Sequence, residues 1–297
     1  MTAIDDGSFE IKVDFERGAG DPARVFRTMS GLIEAIQSLD NHLAISINVS
    51  IQSKLILEDI EVGSIKAKLK NIIEAIPDEP LKKGEIKQLV GHFLYMAKHK
   101  VIDWCSEKKE IKDREELKQL EGDILQLAEK TDINHLPAYA PIKTETLLAD
   151  INLIQESLQY LGEGDNAVYT SPEGLSKFNP KLSVSQNMVR DILTRETIQT
   201  TGIRILKVKK PDYLGISKWS FKYMGHPIEA SISDANWLSR FQNRMELVQP
   251  GDSIKANVQE IVSYGYDGEI VHTDYEVLEV IEVLHAPQIV QGDLLEE

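Results

Sequence analysis

The chain has 297 residues, 42% of them hydrophobic, enough to bury a sizeable core and to form about two domains. A single cysteine, Cys105, excludes an internal disulfide and a cysteine-rich zinc site and fits a reducing compartment. A net charge of −15 disfavours a protein that coats nucleic acid or an anionic membrane.

The opening stretch MTAIDDGSFEIK lacks the basic and apolar regions of a secretory signal. Apolar runs such as Leu43–Ile51 fall far short of the roughly 20 residues a membrane helix needs. The expectation is a cytoplasmic chain with no membrane segment.

Phe9, Ile11, Val13 and Phe15 alternate with charged residues, the period of a strand with one wet face. Asp21-Pro22 supplies an N-cap and a proline for a helix carrying Val25, Phe26, Met29, Leu32, Ile33 and Ile36. Alternation over Leu43, Ile45, Ile47, Val49 and Ile51 predicts a second strand. Leu55–Leu57 and Ile65, Ala67 and Leu69 flank a turn or bulge at Glu58–Ser64 that contains Gly63. The order β-α-β-β favours an antiparallel or mixed sheet.

Helical patterns over Ile65–Ile76, Glu85–Cys105 and Asp113–Lys130 are expected to pack on that sheet, closing a first domain at 1–135. Leu136-Pro-Ala-Tyr-Ala-Pro141 cannot continue a helix and opens a connecting segment, 136–195. This segment holds a helix over Thr144–Leu161, a hairpin of Ala167–Ser171 and Leu175–Phe178 around Pro172-Glu-Gly174, and a helix capped by Ser183 or Ser185 that ends near Leu193.

From 196 the texture becomes β. Ile203–Val208, Trp219–Tyr223 and Ile228–Ile232 read as strands, with Gly225-His-Pro227 as a turn, and Asp234–Arg244 as a brief helix. Ile254–Val262 and Glu269–Val283 follow, the latter long enough for two strands or one bent one. The fold class is therefore α+β, with a small OB- or SH3-like barrel and an inserted short helix over 196–286. An acidic tail, 287–297, completes the chain.

Gly18-Ala-Gly20-Asp-Pro-Ala23 fits the G-x-G-x-x-A dinucleotide pattern, but a Rossmann first strand is apolar on both faces and this one alternates with charge. Asp21 would also repel a pyrophosphate at the helix N-terminus, so the segment reads as a glycine turn before a capped helix. His92, His99 and Asp103, spaced by seven and four, share one helix face. A metal would need another ligand such as His135, and the plainer reading is polar residues on an amphipathic helix. Cys105, beside Trp104 on an apolar stripe, reads as a small buried hydrophobe. Pairs such as Glu115-Glu116 and Glu58-Asp59 read as solvated faces. No catalytic, cofactor-binding or metal-ligating residue emerges.

Charge is uneven: residues 196–245 carry eight basic against four acidic side chains, and 246–297 carry one against twelve. Lys207, Lys209, Lys210, Lys218, Lys222, Arg240 and Arg244, interleaved with Tyr213, Trp219, Phe221 and Tyr223, form the candidate binding set. Single-strand binding by a small barrel needs a basic groove and exposed aromatics on one side. Strand alternation instead puts Trp219, Phe221 and Tyr223 on the face opposite Lys218 and Lys222, as an ordinary core with a wet outer face does.

Lys210-Pro-Asp-Tyr-Leu-Gly215, Ser217-Lys-Trp219, Trp237-Leu-Ser-Arg-Phe241, Pro250-Gly-Asp252 and Tyr264-Gly-Tyr-Asp-Gly268, together with Val13-Asp-Phe-Glu16 and Ile56-Leu-Glu-Asp-Ile60, resemble an uncharacterised family of bacterial proteins of similar length. The resemblance spans most of the chain and implies an association with mobile or antiviral-defence genes. It brings no catalytic residue. The functional expectation is a non-catalytic subunit or adaptor, serving phage defence, that binds a partner protein or itself. The alternatives are nucleic-acid binding through 196–286 and an enzyme with an unrecognised site.

Overall fold

The computed structural model describes residues 8–16, 18, 20–61, 65–74, 83–133 and 139–286. It divides into two compact units, Met1–Ile192 and Leu193–Glu297. Among the described residues no helix is long and apolar enough to cross a membrane.

The first unit contains β1 (Ser8–Asp14), α1 (Ala23–Ile47), β2 (Gln52–Glu61), β3 (Ile65–Glu74), α2 (Lys83–Ser106), α3 (Arg114–Lys130), α4 (Thr144–Leu158), β4 (Asn166–Ser171) and β5 (Gly174–Lys177), with α5 (Gln186–Leu193) at its end. The strands form one antiparallel sheet in the order β2-β3-β1-β4-β5. Period-two patterning decides its faces: Phe9, Ile11 and Val13 are buried, while Glu10 on the opposite face pairs with Lys66 at 3.0 Å. The 166–177 hairpin, expected within the connector, pairs with β1 through β4 and is part of this sheet.

Two expected elements change type. The strand expected over Leu43–Ile51 does not form: Leu43–Ile47 are the end of α1, and residues 48–51 are a turn after it. Ile36, Leu39, Leu43 and Ile47 continue its buried stripe, and exposed Ile45 and Val49 merely mimic alternation. Asn48, in extended backbone, ends the helix, its N–H donating to the Ala44 carbonyl. In place of the helix expected over Ile65–Ile76, Ile65–Glu74 form β3, as the alternation of Ile65, Ala67 and Leu69 also allows, because Ala67, Leu69, Asn71 and Ile73 all turn inward at period two. Glu58–Glu61 belong to β2, with a bulge between Leu57 and Asp59. The expected turn at Gly63, His135 and the acidic tail lie outside the described residues. α3 is capped by Asp113, which accepts from the Glu116 N–H at 3.0 Å, and Ser185, a cap candidate from the sequence, accepts from the Met188 N–H at the start of α5.

The second unit comprises β6 (Glu196–Lys210), β7 (Trp219–Tyr223), β8 (His226–Ile232), α6 (Ala235–Gln242), β9 (Ser253–Tyr264) and β10 (Ile270–Leu284). They close a barrel in the order β10-β8-β7-β6-β9, with β8 and β10 parallel and the other pairs antiparallel. That circuit, with a helix between its third and fourth strands, is the OB arrangement rather than the SH3-like one. Leu206, Val208, Trp219, Phe221, Val258 and Val277 fill the barrel, and Trp237 and Phe241 of α6 plug it, with the Trp219 and Phe241 rings 4.7 Å apart.

β6 begins seven residues before Ile203. The β7–β8 turn is Met224-Gly225, both at positive φ, so His226 and Pro227 belong to the strand. Residues 270–284 form one strand, its register shifting at three points as it curves from β9 to β8.

Candidate functional site

Several clusters in the first unit resolve into structure. Among the described residues every strand pair in its sheet is antiparallel, which is not the parallel βαβ arrangement a Rossmann unit at Gly18–Ala23 requires. There, Asp21 accepts from the Ala23 N–H at 2.9 Å and pairs with Arg27. Arg24 is buried against Asp165, its Nε donating at 2.8 Å. His99 lies between the hydroxyls of Ser176 and Ser171, at 2.6 and 2.8 Å, and desolvation lowers its pKa, so it pins α2 to the β4–β5 hairpin as a neutral ring. His92 meets Glu173 at 3.3 Å. Among the described residues no three or more His, Cys, Asp or Glu side chains gather as a metal site. Burial pushes the Cys105 thiol up to about 12, which leaves it a poor nucleophile. Glu115 and Glu116 pair with Lys118 and Lys108, and Glu58 faces Lys70.

The barrel presents a different kind of feature. Between β6 and β7 the chain runs through Pro211-Asp-Tyr-Leu-Gly-Ile-Ser217, a segment without regular structure. One carboxylate ties it together: Asp212 accepts from the N–H groups of Leu214, Gly215 and Ser217, each at 3.0 Å, and from the Ser217 hydroxyl at 2.6 Å. These bonds, the Ser217 hydroxyl first, hold the Asp212 pKa well below the usual carboxylate range. Gln242 of α6 donates to the Gly215 carbonyl at 2.8 Å, and Tyr213 stacks on Phe241, its hydroxyl reaching the Val248 carbonyl. The loop is thus fixed at both ends and in the middle. Its fixed form leaves Leu214 96% and Ile216 91% exposed.

Beside the loop runs a groove walled by Tyr213, Leu214, Phe241, Arg244, Leu247 and Val248. Leu247 on this wall is largely exposed, and so is Met245, next in sequence to Arg244. Arg244, at positive φ, stands in the groove without an acidic partner among the described residues. Arg240 pairs with Glu246 at 3.1 Å.

The remaining sequence candidates divide. Lys207 and Lys222 are cross-strand neighbours on the outer wall, Lys209 is exposed on the same face of β6, and Lys210 is exposed opposite Ser220. Lys218 is paired with Asp274 at 2.9 Å. Trp219 and Phe221 face the core, so no aromatic ring of β7 lies among the lysines. The sequence reading included Tyr213 and Arg244 and missed Leu214, Ile216, Met245 and Leu247. Their signal was present as apolar residues set in a Pro, Asp and Gly segment where burial is not expected.

Comparisons with protein-family models, with curated proteins and with solved structures find no match.

Proposed function

We propose that this chain is a non-catalytic interaction subunit that binds a partner protein at the groove between its 211–218 loop and the 241–249 segment. The observation that carries this reading is the Asp212-tied loop. A rigid segment that holds two aliphatic side chains almost wholly in water loses free energy of hydration with no internal gain, unless another surface covers them. Because the loop is already ordered, docking on it forfeits little conformational entropy. Arg244 next to the apolar rim selects a partner segment that carries an aliphatic or aromatic side chain and a nearby carboxylate. The exposed Lys207, Lys209, Lys210 and Lys222 favour the same sign of partner. The resemblance to proteins associated with antiviral-defence genes supports phage defence as the setting.

Single-stranded nucleic acid is the second reading, favoured by the barrel topology and the adjacent Lys207 and Lys222. One experiment separates the two. A random peptide display library and a labelled single-stranded oligonucleotide are tested against wild type, L214D/I216D, R244E and K207E/K209E/K210E. The protein-binding reading expects selected peptides that pair an apolar with an acidic residue, lost in L214D/I216D and weakened at least tenfold in R244E. Oligonucleotide binding that falls steeply with salt and disappears only in the lysine variant would replace it. Selection of neither ligand would overturn both.

A further inference from the structure

Fifteen-residue β6 is far longer than its neighbour β7, which has five. β9 covers one side of β6 from Glu196 to Lys207, in unbroken register. β7 covers the other side only from Lys207 to Lys210. Among the described residues, one edge of Glu196–Leu206 therefore has no strand beside it, and Glu196–Thr201 are all exposed. The Val208 N–H donates to the Asp252 carbonyl on the β9 side, which sets the alternation: odd-numbered residues from Thr197 to Ile205 turn their N–H and C=O groups toward the open edge. Consistent with this, the Ile203 carbonyl accepts from the Arg204 guanidinium, which lies over Gly202 where no side chain obstructs it.

Open edges are normally guarded by proline, lysine, a bulge or shortness. Residues 196–206, Glu-Thr-Ile-Gln-Thr-Thr-Gly-Ile-Arg-Ile-Leu, have no proline, lysine or bulge and are rich in Thr and Ile, and their two charges, Glu196 and Arg204, are of opposite sign. Ile198, Ile203 and Ile205 are each about half exposed along it.

We propose that the partner of this edge is a second copy of the chain, paired antiparallel through β6 about a two-fold axis at Thr200. The axis position follows from charge. Centred on Thr200, Glu196 of each copy stands opposite Arg204 of the other, so the closed interface contains that ion pair twice. Centred one residue either way, Glu196 would face Leu206 or Gly202. Around the Thr200 axis, Gln199 pairs with Thr201 and Thr197 with Ile203, the outward-directed residues that exchange backbone hydrogen bonds, the Arg204 guanidinium leaving its own Ile203 carbonyl as it turns to Glu196 of the other copy. Glu196 and Arg204 then fall at the closer, non-hydrogen-bonded positions. The result is a continuous sheet, β10-β9-β6 joined to its two-fold mate. This interface is independent of the groove on the 211–218 loop.

The test begins with the mass of the full chain by light scattering, expected at twice 33.4 kDa. E196R or R204E alone should halve that mass at concentrations where wild type is dimeric, and E196R/R204E should restore it. T200C gives the register directly: residues on the axis lie with Cα atoms about 4.5 Å apart, within disulfide range, so mild oxidation should cross-link it, and I205C should not. Cys105, buried, does not compete. A monomeric wild type, a double variant that stays monomeric although folded, or cross-linking no greater at T200C than at I205C overturns the proposal. So does a monomer whose 197–205 amides are shielded from exchange only when a different protein is added, which would assign the edge to a foreign strand.

Discussion

Lys98 of α2 and Asp40 of α1 are both fully withdrawn from water, 2.9 Å apart, with Asn71 of β3 bonded to each and Ser53 of β2 bonded to Asn71. Desolvation pushes Asp40 up and Lys98 down, and their mutual attraction opposes both shifts. The Lys98 ammonium also lies 4.1 Å from the Phe9 ring centre. The network joins two helices to two strands, so its value is positional. Lys98→Ala strands a buried carboxylate and should cost about 3–5 kcal/mol in urea unfolding, whereas the charge-free pair D40N/K98M should cost clearly less, because breaking a buried pair is worse than replacing it. Equal losses in the two variants would show that packing rather than charge governs the site. None of this was legible in the sequence, where Asp40 and Lys98 stand 58 residues apart on helices that look ordinarily amphipathic. The His99 face was legible from spacing, but its serine partners come from a hairpin more than 70 residues downstream.

At the scale of elements, the 211–218 loop concentrates its order in one side chain. Asp212 has a folded pKa depressed below its unfolded value of about 3.9, so its stabilising contribution is fully present above that value and is lost as pH falls through the folded one. The Leu214, Gly215 and Ser217 amide resonances should stay fixed from neutrality through the ordinary carboxylate range near pH ~4 and move together only well below it. D212N, which keeps the shape but weakens four charge-assisted bonds, should give those amides loosened positions already at neutral pH. If they move independently, the carboxylate does not organise the loop. Periodicity could not reveal this, because an Asx-type knot has no period and only the Pro-Asp-x-x-Gly composition hints at it. The same limit took the end of α1 at 43–47 for a strand and carried a helix across 65–74, which is β3. Over short windows a helix end with Ile45 exposed between Leu43 and Ile47, followed by Val49 in a turn, matches a strand template, and only burial separates them.

Across the whole molecule, the α+β class and the five barrel strands could be read from alternation and turn residues, since those signals are local. The circuit that closes the barrel could not: β8 and β10 pair in parallel at Tyr275–Ala230, a contact that depends on the curvature of β10 rather than on any local pattern. The barrel nevertheless holds its own core, with Trp219, Trp237 and Phe241 in mutual contact inside it. It should therefore fold without the first unit. Expressed alone, Leu193–Glu297 should melt in one cooperative step and retain the blue-shifted emission of two buried tryptophans, free of the Trp104 signal that the full chain adds. It carries the whole of β6 as well, so the same fragment should keep the mass doubling and its dependence on Glu196 and Arg204. A fragment with solvent-like tryptophan emission would mean instead that the first unit supplies part of the barrel's stability.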